Sequence, residues 1–263
     1  MVKNHNLIMN NIKISAVIIT LNEEKNIQKC IDSVKSVVDE IVIVDSFSKD
    51  KTEEICRNNG VVFLQNAWEG YGKQKNWGNQ QATHDYILSI DADERLSDGL
   101  KEAILNIKKN WQYDVYSVNR LTCFNGRKLK YCLYPDRQLR LFDRRKTKWT
   151  ESKVHEKIII DKNIKLKHTK KDILHFSNQN IHVLIDTLNE YSTLSIQNNV
   201  KLNIKLIYFK LFFNPTFAFI KSYFFKLGFL DGVFGLITCV NMAYYRFLKY
   251  AKRIEQYKTK KNI

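Results

Sequence analysis

Asp91 and Asp93 stand two residues apart in the stretch YILSIDADERLSD (86–98), and Glu94 adds a third carboxylate. Tyr86, Ile87, Leu88 and Ile90 read as a buried strand, so the charges gather at the lip of a core rather than on a solvated loop. Two carboxylates at i and i+2 beyond a strand end can turn toward one hard cation. Mg²⁺ or Mn²⁺ takes few protein oxygens when phosphates supply the rest. Without an ion, like charges this close raise one another's pKa. The chemistry implied is the binding of a nucleotide diphosphate through a divalent metal.

The elements that must carry these residues alternate along the chain. ISAVIIT (14–20) is a continuous β-branched run, as expected of a parallel strand covered on both faces. Asn22 is placed to cap a helix with Ile27, Cys30, Ile31, Val34 and Val38 at helical spacing. EIVIVD (40–45) reads as a second strand, and Asp50 and Glu53 then have the spacing of a capping box. VVFL (61–64) is a third strand, residues 72–82 a polar helix, and YILSI the fourth strand. Ser97 is placed to cap a helix bearing Leu100, Ile104 and Ile107. Four strand–helix alternations predict a doubly wound α/β sheet, which binds ligands beyond the carboxyl ends of its strands. Thr20 and Asn22, Asp45 and Ser46, and Asp91 and Asp93 all fall at that edge.

AVIITLNEEKNIQKCIDSV, EIVIVDSFSKDKT and ILSIDADE resemble three successive motifs of family 2 glycosyltransferases with the GT-A fold. DRQLRLFDRRKTKWTESKVHEKI (136–158) is similar to a subgroup acting on lipopolysaccharide core sugars, the β-1,4-glucosyltransferase type. The resemblance implies a Rossmann-like, mixed but mainly parallel sheet flanked by helices. It also implies that Thr20, Leu21, Asn22 and Glu23 line a nucleotide pocket and that Asp45 accepts a hydrogen bond from the base. Asp91 would hold the ribose or donor sugar, and Asp93 the metal. Lys73 and Lys75 either reach the phosphates or lie on a solvated helix face.

Family 2 enzymes invert the anomeric centre, so the acceptor hydroxyl needs a base opposite the departing diphosphate. Many relatives use an Asp of a Glu-Asp pair near 140–160, which this sequence lacks. Glu156, in VHE, is the candidate base, with His155 orienting it or touching the metal-bound phosphates, and Asp136 is the runner-up. Arg137, Arg140, Arg144 and Arg145 suit phosphate or an acidic acceptor, or form a solvated strand face. His175 is either a metal or diphosphate contact or a structural histidine.

The chain carries 43 Lys and Arg against 27 Asp and Glu, a net charge of +16. From Lys201 to Ile263 twelve basic residues meet only Asp231 and Glu255, and the same segment holds sixteen of the 32 aromatics. Lys210, Pro215, Lys221, Lys226 and Asp231 divide this apolar tail, and its longest uncharged run, 232–245, is fourteen residues, short of the ~20 needed to span a bilayer. The tail is expected to form helices lying on a membrane surface, or else to cover the sheet or form a dimer. The five scattered cysteines suggest unpaired thiols, and residues 1–12 lack the apolar core of a signal peptide. The expected organisation is an extension (1–12), a GT-A catalytic domain (13–180) and a helical, basic-aromatic, membrane-associating region (181–263). Its place would be the inner face of the cytoplasmic membrane.

The leading expectation is inverting transfer of a hexose, glucose first, from a UDP-sugar to a surface-glycan precursor such as lipopolysaccharide core. Other sugars, and capsule, O-antigen or protein acceptors, are the near alternatives. A nucleotidyltransferase also places carboxylates at strand ends, but TLNEEKN replaces its Gly-rich basic loop. A nucleic-acid module would account for the basic tail and leave the acidic cluster unexplained.

Overall fold

The computed structural model describes residues 11–151, 156–178, 181–196 and 203–261. Its compact units are residues 1–120 with 137–175, and residues 121–136 with 176–263. The segment 121–136 thus groups with the C-terminal region.

In the first unit, β1 (Ile14–Thr20), β2 (Glu40–Asp45), β3 (Val62–Gln65) and β4 (Tyr86–Asp91) lie parallel in the order β3-β2-β1-β4. The connections carry α1 (Ile27–Val34), α2 (Thr52–Asn58) and α3 (Tyr71–Gln81). After β5 (Glu94–Leu96) and α4 (Asp98–Lys109) come β6 (Val115–Phe124), β7 (Arg127–Lys128), β8 (Asp136–Asp143) and β9 (Leu166–Asn178). β8 runs antiparallel to β4 and the sheet continues through β6, β9 and β5, which makes it mixed, as the resemblance implies.

Every residue of β1 is buried, because both faces of the sheet are covered. Ile14, Ala16 and Ile18 pack into a core with α1 and α4, whereas Val17 and Ile19 join Val42, Val44 and Phe142 on the other face. The two-residue period of the strand sorts one apolar run into two cores. α3 closes the second core at Gly78, where an added Cβ would stand 2.7 Å from both Val17 Cγ1 and Val44 Cγ2.

Local capping departs from expectation at two places. Asn22 does not cap α1, whose N-terminus is Asn26 without a side-chain cap; Asn22 adopts a left-handed φ of 54° that this residue type tolerates. Asp50 forms no box with Glu53: its Oδ1 accepts from Thr52 N at 3.0 Å and its Oδ2 from Glu24 N at 3.0 Å. Ser97 caps α4 as expected, accepting from Leu100 N at 3.3 Å. KIII (157–160) forms no strand, only a single bridge between Trp149 and Ile158; Ile158 is buried but Ile159 and Ile160 are exposed, so no second strand covers them.

The second unit contains α5 (Ile181–Leu194), α6 (Ile204–Ile220), a π-helical turn (221–225), a 3₁₀ turn (228–231) and α7 (Gly232–Lys261). Pro215 does not end α6, which runs through it. Phe124, Leu129, Cys132 and Cys239 form a small core here. All five cysteines are buried and none forms a disulfide.

Gly78→Ala is expected to lower stability by roughly 1–3 kcal/mol, since the overpacking outweighs the gain in helix propensity. Gly99→Ala in α4, whose new Cβ would meet Lys171 Cδ at an ordinary 3.6 Å, should be neutral or slightly stabilising. Urea unfolding of the two variants checks the contrast; equal effects would mean that α3 does not seat on β1 and β2 through this contact.

Candidate active site

Strand register places the candidate residues side by side. Thr20 at the end of β1 is in register with Asp45 at the end of β2, and Ile19 with Asp91 at the end of β4. Three neighbouring strands therefore release their chains at one edge, where a doubly wound sheet opens a crevice. The β1–α1 loop is clamped to the β2–α2 loop. Asn22 N donates to Ser48 Oγ at 2.8 Å, Asn22 Oδ1 accepts from Lys49 N at 2.8 Å, and Glu23 N donates to Thr52 Oγ1 at 2.8 Å. Leu21 stays exposed beside buried Thr20. Asp45 is fully buried and its carboxylate accepts from the Ser48 backbone N–H and hydroxyl, so it braces its own turn.

The acidic lip is neutralised from within. Lys75, 2% exposed on α3, sets its ammonium 3.0 Å from Asp91 Oδ1 and 2.8 Å from Glu156 Oε1, over the ring of buried Trp149. Arg140, buried on β8, reaches Asp91 Oδ2 at 2.9 Å and Glu94 Oε1 at 2.5 Å. Glu94, fully buried, also accepts from Asp91 N at 3.0 Å. Burial alone would push the Asp91 carboxyl up, but Lys75 and Arg140 outweigh it and hold the group well below the usual range. Each oxygen of Asp91 thus faces a side-chain charge, Lys75 on one side and Arg140 on the other. Lys75 and Arg140, expected near the donor phosphates, are internal ion-pair partners instead.

Asp93 lies in the turn between β4 and β5, and its Oδ2 is 3.3 Å from His175 Nε2 on β9. Burial would lower the His175 pKa, yet the Asp93 charge raises it overall. Glu23 is within electrostatic reach of both, and burial pushes its carboxyl up to about 7, opposed by the Asn26 amide and reinforced by Asp93 and Asp50. Among the described residues no three His, Cys, Asp or Glu side chains form a metal-holding group. The donor set fits a hard divalent ion only where most ligands come from a diphosphate: Asp93 and His175 would hold it.

The other candidates separate. Lys73 is exposed and paired with Glu69 at 2.7 Å one helical turn away, a solvated face. Arg137 is exposed on β8, Arg144 donates to the Asn79 and Ala82 carbonyls, and Arg145 pairs with Asp143 at 2.7 Å. Asp136 is half-buried and belongs to the second unit. His155 lies outside the described residues. Sequence reasoning missed three contributors. Glu94 is visible only as a neighbour of the acidic pair. Trp149 gives no local signal. Arg120 on β6 influences both Asp91 and His175, and a single Arg inside an apolar strand was its only trace. A hollow lined by Tyr86, Trp111, Asp143 and Lys146 lies at the opposite, amino-terminal end of β4.

The family model described as "Glycosyl transferase family 2" matches residues 15–187. A lipopolysaccharide core biosynthesis glycosyltransferase, LpsC of Rhizobium meliloti, is 33% identical over 94% of this chain and 94% of its own. An uncharacterized glycosyltransferase of Rickettsia felis is 31% identical over 95% of this chain and 93% of its own.

Arg140→Met should cost about 3–5 kcal/mol in urea unfolding, because it strands the fully buried carboxylate of Glu94 and takes one of two cations from Asp91. A loss below about 1 kcal/mol would show that the network holds nothing together. Glu23 supplies a pH test. Its folded pKa exceeds the ordinary 4.5, so the native state keeps the proton longer and stability falls as pH rises from 4.5 towards about 7. Glu23→Gln should remove that part of the slope, read as the difference between wild-type and variant unfolding free energies across the window. Parallel curves would contradict the burial of this carboxyl.

Proposed function

Because the chain belongs to glycosyl transferase family 2, we propose that it moves a hexose, glucose first, from a UDP-sugar to a surface-glycan precursor of the lipopolysaccharide-core kind, with inversion and with a divalent ion. The observation that carries this reading is the gathering of Thr20, Asp45 and Asp91 at adjacent strand ends, with Asp93 and His175 paired in the turn beyond. The LpsC name supports the acceptor class. Family membership sets aside the nucleotidyltransferase and nucleic-acid readings of the acidic cluster.

The residues divide the work. The clamped 20–23 loop and the Asp45-braced turn form the nucleotide wall, which accepts a ligand without first having to order itself. Asp93 and His175 would hold a divalent ion that offsets the charge of the departing diphosphate. Transfer forms a bond from the acceptor oxygen to the anomeric carbon as the bond to UDP breaks on the opposite face. The acceptor proton goes to the Glu156 carboxylate, whose other oxygen Lys75 fixes at 2.8 Å. Lys75 thus sets the position of the base relative to Asp91, which it holds with the same ammonium.

Asp93→Ala should lower Mn²⁺-dependent turnover of UDP-glucose by about a hundredfold or more at an unchanged unfolding midpoint. Undiminished turnover would remove the metal assignment. Glu156→Gln should keep donor binding and slow transfer by about 10²–10⁴-fold. Unaltered transfer would pass the role to Asp136. A thermal-shift screen of nucleotide-sugars with Mn²⁺ tests the donor: a larger shift with a GDP- or CMP-sugar than with UDP-glucose would overturn that choice.

A further inference from the structure

α6 is strongly apolar with almost no amphipathic bias, its only charges being Lys205 and Lys210, a pattern found in helices buried in a large core or in lipid. Here much of it is exposed. Phe209, Phe213, Phe217, Ile220 and Phe224 follow at steps of three or four residues and are all exposed, forming one stripe that runs into the π-helical turn. On α7, Val233, Leu236, Val240 and Tyr244 repeat the spacing and the exposure. At the bend between the helices Phe225 is 78% exposed. So many exposed large apolar side chains in two consecutive helices exceed what singly scattered residues would explain.

The charge around it has one sign. Lys221 and Lys226 flank the bend and are exposed. Between Glu190 and Glu255 the only acidic residue is Asp231, and it is spent internally. Its Oδ1 accepts from Lys130 N at 2.7 Å, and its Oδ2 from Tyr131 N at 3.1 Å and Cys132 N at 2.9 Å. What remains outward is phenylalanine, aliphatic side chain and ammonium. A second copy of this chain is a poor occupant, because a two-fold contact would set the same lysines against each other. An anionic lipid surface satisfies both halves of the pattern. Among the described residues no single helix is long and apolar enough to cross a bilayer; the segments 204–225 and 228–259 are so only together, and they meet at a 73° bend that keeps them from forming one straight span.

We infer that the bend between α6 and α7 is a lipid-docking surface, which seats the phenylalanine stripe at the headgroup–acyl boundary of an anionic bilayer while Lys221 and Lys226 meet the lipid phosphates. It suits an enzyme whose acceptor is a glycolipid, but it does not rest on that chemistry. The experiment is flotation of the purified full-length chain with phosphatidylcholine vesicles, with and without phosphatidylglycerol, in physiological salt. Wild-type protein should float with the anionic vesicles and weakly with the neutral ones. Lys221→Glu/Lys226→Glu, which touches no core, should weaken binding about tenfold or more. Phe217→Glu/Phe225→Glu should abolish it, with the circular dichroism spectrum and UDP-sugar thermal shift unchanged. Equal flotation of the variants and the wild type would overturn the inference. So would failure of the wild type to float, or a dimer in size-exclusion chromatography that the phenylalanine substitutions dissociate. Because flotation needs no turnover, failure of the donor or acceptor assignment leaves this result intact, and the reverse.

Discussion

A buried charge must be matched by another, and the catalytic unit is arranged around that requirement at Asp91. Lys75 from α3 and Arg140 from β8 converge on its two oxygens, and the same two cations hold Glu156 and Glu94. Two cations thus join four stretches of chain: α3, the β4–β5 turn, β8 and the segment at Glu156. Charge pairing in a low-dielectric interior is directional and severe when incomplete, so the network fixes where the end of β4 stands relative to α3, β5 and β8. It also decides which acidic residue of the pair remains for a ligand. Asp91 is engaged by two cations, while Asp93, two residues further, pairs with His175.

The crevice inherits its rigidity from hydrogen bonds that serve the loops first. Asn22, Ser48, Asp50 and Thr52 exchange side-chain and backbone bonds between two loops that contribute nothing to the sheet. A nucleotide wall built this way loses little conformational freedom on binding. Glu23 stands at the boundary between this scaffold and the Asp93–His175 pair, its backbone held by Thr52 and its carboxyl pKa pushed up to about 7 by burial.

The second unit solves a different problem with opposite means. Its core around Cys132 and Cys239 is small, and Asp231 satisfies three consecutive backbone donors at 130–132, which ties that segment to the start of α7. Lys252 on α7 likewise bonds to Asn189, Ser192 and Thr193 of α5. Here too polar groups are turned toward one another, but the phenylalanines of α6 face outward, whereas the apolar side chains of β1 are buried.

The alternation of β-branched runs with helical spacing, the Ser97 cap and the acidic residues after the fourth strand were all legible in the amino-acid sequence, because each depends on neighbours within one element or one turn. So were the family and the basic, aromatic character of the tail. The partners of the charges were not. Lys75 and Glu156 are 81 residues apart and Asp91 and Arg140 are 49 apart, and nothing local distinguishes an arginine that will be buried against a carboxylate from one that will face solvent. Lys73 and Lys75 illustrate the point: two residues apart on one helix, one is solvated and the other enclosed, since helical geometry turns them about 200° apart, onto opposite faces. Spacing along the chain determined which residues could reach the strand edge; only the packing of α3 and β8 against that edge decided which of their charges would be consumed there.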